Sequence, residues 1–123
     1  MTEDRFIREL DRARQIKISV IGRRSGRKIT LPVWFVVEED ALWLLPVQGS
    51  KTQWYQNLLT NPIFTIQVGK ERRAFRAQAL RGERTVHRVI QQFRDKYKPE
   101  VISRLYPGPL NVAVKVKLPT PIA

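Results

Sequence analysis

Apolar positions recur along the chain with two different periods, and the switches between them lay out the elements. Over residues 3–14, Phe6, Leu10 and Ala13 fall at helical spacing with Ile7 beside them. This predicts an amphipathic helix capped by Thr2, with Glu3 and Asp4 at the positive end of its dipole. Nothing in it looks chemical, so it reads as a lid or a dimer contact. From Ile16 the period is two: Ile16, Ile18 and Val20 alternate with Lys17 and Ser19, a strand. Gly22 to Gly26 form a turn, and Lys28 to Glu38 a second, longer strand. Its Ile29, Leu31, Val33, Phe35 and Val37 share one face; Thr30, Pro32, Trp34 and Val36 share the other. A strand apolar on both faces is buried twice or lies against a ligand. Pro32 has no N–H to give a ladder, which places the strand at an edge or a bulge.

The pattern continues in the same way. Glu38 to Asp40 turn the chain into a third strand, Ala41 to Val47, again apolar on both faces. Thr52 to Thr60 read as a short helix ended by Asn61-Pro62. Ile63 to Val68 and Arg72 to Leu80 form a hairpin around Gly69-Lys70-Glu71. Val86, Val89, Ile90, Phe93 and Tyr97 mark a helix over 83–97, and Pro99 starts a shorter helical piece. Tyr106-Pro107-Gly108-Pro109 make a turn before a final strand, Val112 to Leu118. Six strands, closely connected at the start, with few helices predict a mainly β (α+β) fold: a six-stranded antiparallel Greek-key barrel with flanking helices.

The 123 residues are one domain's worth, so a single domain over 1–123 is expected. The longest apolar runs are far too short to span a membrane. The Met1 end is charged and amphipathic, without the apolar core of a secretion signal. The chain has no cysteine, hence no disulfide framework or thiolate metal site, and a cytoplasmic protein is expected. Charge changes the picture more: 23 Lys and Arg against 11 Asp and Glu leave a formal +12. Such a surface attracts nucleic acid, anionic lipid or a phosphorylated ligand, or is simply solvated.

Familiar catalytic constellations are nearly absent. His87 stands alone beside a helical stripe and reads as structural or surface, and no metal set is expected. There is no Gly-x-Ser-x-Gly element, and the acids fall in turns and on helix faces rather than as a catalytic pair. Gly49-Ser50-Lys51-Thr52 lacks the spacing of a nucleotide P-loop, since Ser50 intervenes and no glycine precedes it within residues 44–48. The local physics still favours an anion there, because free N–H groups open the helix and Lys51 adds a charge. Arg23-Arg24-Ser25-Gly26-Arg27 is a second anion candidate. Gly22 and Gly26 let the backbone turn and show its N–H groups, arginine grips phosphate in a fork, and Ser25 adds a hydroxyl. Either turn alone is equally an ordinary capped helix start or a basic hairpin tip. Paired around a doubly apolar strand, the two favour a cofactor site. Trp34, Trp43 and Trp54 are core residues by default, although Trp54 and Tyr55 directly follow the second turn.

Gly22-Arg23-Arg24-Ser25-Gly26, Leu31-Pro32-Val33-Trp34, Trp54-Tyr55-Gln56-Asn57-Leu58 and Asn61-Pro62 resemble, in that order, the deazaflavin-dependent nitroreductase and quinone reductase family. That family belongs to the split β-barrel group that includes the pyridoxamine-phosphate-oxidase-like, FMN-binding proteins. The likeness covers roughly residues 16–80. It implies a split barrel, a homodimer, and reduced coenzyme F-420 as hydride donor to a small-molecule acceptor such as a quinone or nitro compound. FMN is the alternative cofactor. The resemblance assigns phosphate and the polyglutamate side to Arg23, Arg24 and Ser25, with Gly26 completing the turn. It lays the ring along Ile29, Thr30, Pro32, Val33 and Trp34. Pro46, Val47, Gln48, Lys51, Thr52, Trp54 and Tyr55 would complete the pocket. Tyr97 and Tyr106 are candidates for the acceptor side. Hydride chemistry belongs to the cofactor, which fits a chain without a side-chain nucleophile. The rival from another class is a basic small barrel that binds nucleic acid. It is disfavoured because the aromatic residues sit on strands that read as buried on both faces, not on an open stacking surface.

Overall fold

The computed structural model describes residues 5–38, 40–106 and 110–118. The predicted cap at Thr2, the acids Glu3 and Asp4, and Pro107 to Pro109 of the predicted turn lie outside the described residues. In chain order the elements are α1 (Arg5–Arg12), β1 (Ile16–Ile21), β2 (Lys28–Val33), β3 (Val36–Glu38) and β4 (Ala41–Leu44). A single 3-10 turn at Gly49–Lys51 leads into α2 (Gln53–Thr60), then β5 (Ile63–Val68), β6 (Glu71–Arg76), β7 (Gln78–Leu80), α3 (Glu83–Tyr97), α4 (Pro99–Leu105) and β8 (Ala113–Lys117).

The strands form two antiparallel sheets, ordered β2-β1-β5-β6 and β3-β4-β8-β7. The edge strands of one sheet run on into the edge strands of the other: β2 into β3 across Trp34-Phe35, and β6 into β7 across Ala77. The six predicted runs are therefore six passes around a split antiparallel barrel. Lys28–Glu38 and Arg72–Leu80 each bend and change sheet, which divides them into two segments apiece. Strands that switch sheets at a bend are how such a barrel turns its corners. Pro32 stands on an edge strand of the first sheet, where its missing N–H costs no ladder bond.

The space between the sheets is filled by the inward alternation of their strands. Ile18, Val20, Leu42, Leu44, Phe64, Ile66, Val114 and Val116 lie there with almost no exposure. α1 packs against β5 and β6 and contributes Phe6 and Leu10 to this core, with Phe6 in ring contact with Phe75. The helix is thus part of the barrel's packing through its apolar face. Each such buried apolar side chain stabilises the fold by about 1.5–3 kcal/mol. A second cluster covers the outer face of the second sheet. There Val86, Val89 and Phe93 of α3 and Ile102 of α4 pack on Val36, Trp43, Leu45 and Ala113. Among the described residues the outer face of the first sheet has no such cover: Lys28, Thr30, Pro32, Arg72, Ala74 and Arg76 are all exposed.

The bend at Trp34-Phe35 is held from α3. The Phe35 N–H donates to the Tyr97 hydroxyl at 3.1 Å, and that hydroxyl faces the carbonyls of Arg14 at 2.7 Å and Phe35 at 2.8 Å. Lys96 donates to the same Phe35 carbonyl at 2.9 Å. The Trp34 indole stacks on the Tyr97 ring, with centroids 4.3 Å apart and planes 6° from parallel. Because the strand breaks here, Phe35 enters the barrel core and its neighbour Val36 the helix-covered cluster. Val37, predicted to share a face with Phe35, is exposed instead.

Tyr97→Phe keeps the ring stack but removes the group that bridges Arg14 and Phe35. We expect chemical denaturation to show a loss of about 1–3 kcal/mol, the cost of unmaking buried backbone partners. Unchanged stability would mean the bend is set elsewhere.

Candidate functional site

The β1–β2 turn is built by its own backbone. The Gly22 N–H donates to the Arg27 carbonyl at 2.8 Å, and the Gly26 N–H to the Gly22 carbonyl at 2.9 Å. Gly26 has φ of 70°, a conformation that only glycine adopts without strain. A Cβ on Gly22 would stand 2.6 Å from Ser25 Oγ, so the close approach there also selects glycine. Ser25 Oγ accepts the Arg27 N–H at 3.1 Å and so helps to hold the turn.

Arg23 docks this turn on α2. Its backbone N–H and Nη1 both donate to Asn57 Oδ1, at 3.1 and 2.8 Å, and Nη2 donates to Gln53 Oε1 at 2.9 Å. These acceptors are neutral amides. The guanidinium is fixed in place, yet those bonds leave its charge uncompensated. Arg24, Ser25, Gly26 and Arg27 remain exposed beside it.

The second turn is equally well tied. Thr52 Oγ1 accepts the Gln48 N–H at 2.7 Å rather than capping α2. The Ser50 N–H donates to Asn111 Oδ1 at 3.0 Å, and Gln56 Nε2 bonds to the Ser50 carbonyl. Lys51 points to solvent, as its exposure shows.

Between the two turns lies a cleft of about 480 Å³, within the usual range of about 300–1,000 Å³ for small-molecule sites. One wall is the inner face of β2, with Ile29, Leu31 and Val33, leading into Trp34. Facing it are Leu45, Val47 and Gln48 at the end of β4, and Thr52, Gln53, Trp54 and Asn57 at the start of α2. Leu105 and Tyr106 close one end, and Gln15 and Pro32 also contribute. The cleft is open: Ile29 is 42% exposed, Val47 37% and Leu105 46%. The doubly apolar strand is therefore half uncovered because its inner face borders this opening.

Of the residues expected in the pocket, Ile29, Pro32, Val33, Trp34, Val47, Gln48, Thr52 and Trp54 line it. Arg23 stands at its rim through Gln53 and Asn57. Thr30 points to the opposite side of β2, where its hydroxyl meets Ser19 Oγ at 2.8 Å. Pro46 is buried behind the lining. Tyr55 turns away from the cleft into the barrel core, fully buried, and its hydroxyl has no hydrogen-bond partner among the described residues. Gln15, Leu45, Gln53, Asn57 and Leu105 are lining residues the sequence reading did not select. For Gln53 and Asn57 a signal existed, since residues four apart on a helix share one face and both are polar. Gln15 and Leu105 come from distant chain segments and carried none.

Electrostatically the cleft's end is unusual. Burial pushes the Tyr106 phenol well up from its ordinary range, and the neighbouring Tyr97 adds to this. Burial also raises Tyr97, against the opposing pull of its Phe35 backbone bond and Arg14. Both phenols hold their protons at neutral pH. Lys96 is lowered to about 8, first by burial and then by Arg14. Its ammonium sits 3.5 Å from the centroid of the Phe35 ring. Trp43 belongs to the helix-covered core, and His87 is exposed on α3, as expected. Among the described residues no cluster of His, Asp and Glu could hold a metal ion.

The chain is a split antiparallel barrel with an apolar, tryptophan-walled cleft and a guanidinium held at its rim. Comparisons with known proteins agree with that class of fold. The model of the F420H(2)-dependent quinone reductase family matches residues 2–114, and the chain belongs to that family. A Mycobacterium tuberculosis protein named for F420H(2)-dependent quinone reduction is 33% identical over 59 residues, 46% of this chain and 50% of that one. The match thus spans about half the length of that curated relative. Among solved structures, an F420-H2 dependent reductase, FDR-A, superposes with a TM-score of 0.65 at 21% identity, covering 85% of this chain and 94% of that one. A structure from Listeria innocua named for pyridoxamine 5'-phosphate oxidase gives 0.68 at 12% identity, covering 92% and 90%. At these identities the likeness is one of fold, and it is the split barrel.

Lys96 gives a pH test of the bend at Phe35. Its folded-state pKa lies below the ordinary 10.5, so between about pH 8 and 10.5 the unfolded chain holds a proton that the folded chain has released. Stability therefore rises with pH through that window, and below it the cost of burying the charge is felt in full. In thermal melts between pH 7 and 10, the wild type should gain on Lys96→Met as pH rises. Parallel curves would show that the ammonium is not desolvated.

Proposed function

We propose that the chain is an oxidoreductase that binds reduced coenzyme F-420 in the cleft and serves hydride transfer to a small organic acceptor, a quinone or a nitro compound. Family membership supports the cofactor class. The observation that carries the reading is the pairing of an apolar cleft with Arg23, a guanidinium fixed at its rim by amide oxygens alone. A deazaflavin needs both features, an apolar slot for a flat ring and a cation for an anionic tail. The residues present fit that group. Ile29, Val33, Trp34, Val47 and Trp54 would border the ring, and Arg23 and Arg24 would meet the phosphate.

When bound, the deazaflavin supplies the hydride, and the protein supplies position, orientation and exclusion of water. The apolar walls would shield from water the part of the ring that they contact. Gln48, Gln53 and Asn57 offer the few polar groups that fix orientation in such a site. The free N–H groups at the start of α2 add a partial positive charge on the same side as Arg23. Tyr106 lines the cleft, and burial raises its phenol further above neutral pH, so it keeps its proton and would donate a hydrogen bond to an acceptor that has gained negative charge. A second copy closing the open side, where Ile29 and Leu105 stay exposed, belongs to the same reading, as does a cytoplasmic setting.

Fluorescence titration with coenzyme F-420, with FMN in parallel, tests this reading. Arg24→Ala should weaken F-420 binding about tenfold or more, as expected for a lost charge-assisted phosphate contact, while leaving the melting temperature unchanged. Arg23→Ala should lower both, because Arg23 also docks the turn on α2. Tighter binding of FMN than of F-420, or an affinity for F-420 indifferent to both arginines, would contradict the proposal.

A further inference from the structure

The two sheets are treated differently on their outer faces. α3 and α4 cover that of the second sheet. On the first sheet, Ile16, Ile18 and Val20 of β1 and Phe64, Ile66 and Val68 of β5 are buried inward, so their neighbours in sequence point out. The strand registers arrange these outward residues in rows. Pro32, Lys17, Gln67 and Arg72 form one row across the sheet, and Thr30, Ser19, Thr65 and Ala74 the next. One step further along the same registers, Lys28 pairs with Ile21 and Ile63 with Arg76. The face therefore has a cation at or near each corner, small hydroxyl residues across its middle, and an apolar pair between Lys28 and Arg76. None of these outward residues is acidic. Ile21 and Ile63 are 36% and 44% exposed.

We propose that this outer face is a docking surface for an anionic lipid bilayer. Four cations around this face complement a layer of anionic headgroups, each Lys or Arg near such a surface adding to the attraction. The Ile21–Ile63 pair suits the boundary between headgroups and acyl chains, as the apolar residues of interfacial elements do. A second copy of the chain does not fit here. A two-fold contact would press this face on itself and bring like charges together. Nucleic acid fits less well, because the face offers no aromatic side chain for stacking and no helix for a groove. The cations used, Lys17, Lys28, Arg72 and Arg76, take no part in the cleft or its rim, so docking and cofactor binding are separable. A reductase seated this way would stand beside acceptors that partition into the bilayer.

Co-sedimentation tests this with vesicles of phosphatidylcholine alone and of phosphatidylcholine with phosphatidylglycerol. The full chain should bind the second kind only, and less so as salt rises. Reversing Lys17, Lys28, Arg72 and Arg76 to Glu should weaken binding at least tenfold. Reversing Arg81, Arg84, Arg104 and Lys117 on other surfaces makes the same change in net charge and should cost much less. Circular dichroism reports folding. Should the quadruple reversal not fold, Lys17→Gln with Arg72→Gln replaces it and should give a smaller loss of the same sign. Equal losses in the two sets of reversals, no binding by the wild type, or tighter binding of single-stranded DNA through the same four residues would each overturn the proposal.

Discussion

The structure depends on how one strand is bent. Residues 28–38 leave the first sheet and join the second within Trp34 and Phe35, and the Tyr97 hydroxyl holds that bend by bonding both backbone groups of Phe35. A long strand apolar on both faces would otherwise have continued along one sheet. Because it turns, Phe35 is delivered to the barrel interior and Val36 to the helix-covered side. The inner face of β2 is left bordering open space. Trp34, stacked on Tyr97, becomes one wall of that space. The cleft is thus a by-product of barrel closure, fixed by a residue on α3 distant in sequence.

This explains what could be read from the chain and what could not. Alternation is a local signal, and it located all six passes, the hairpin turns and the long helix 83–97. A bend between sheets is not local. Trp34, Phe35 and Val36 are all apolar, so the pattern looks the same whether the strand runs straight or changes sheet. The two buried neighbours Phe35 and Val36 are the trace of the switch, visible only once burial is known. The site divides the same way. The doubly apolar strand and the two cationic turns border the cleft. Some side chains named there also have structural work: Ser25 holds its own turn, Thr52 holds Gln48, and Tyr55 fills the core. Arg23 is the instructive case. The turn pointed to an arginine that grips an anion, but not to the α2 amides that pre-orient it.

The net charge of +12 also acquires a position. Part of it rims the cleft through the turn at Arg23 to Arg27. Part lies on the outer face of the first sheet, which no helix covers among the described residues, while the apolar surface of the second sheet is covered by α3 and α4. The aromatic residues named in the sequence reading lie in the core or the cleft: Trp43 under α3, Trp34 and Trp54 at the cleft.

Hydrogen exchange of backbone amides, with and without coenzyme F-420, tests most directly whether the cleft behind the bend is the cofactor site. The account predicts slowed exchange in Ile29 to Trp34, in Val47 to Asn57 and at the Arg23 turn, with Ile63 to Arg76 unchanged. Protection confined to the turn, or appearing on the open outer face of the first sheet, would contradict it.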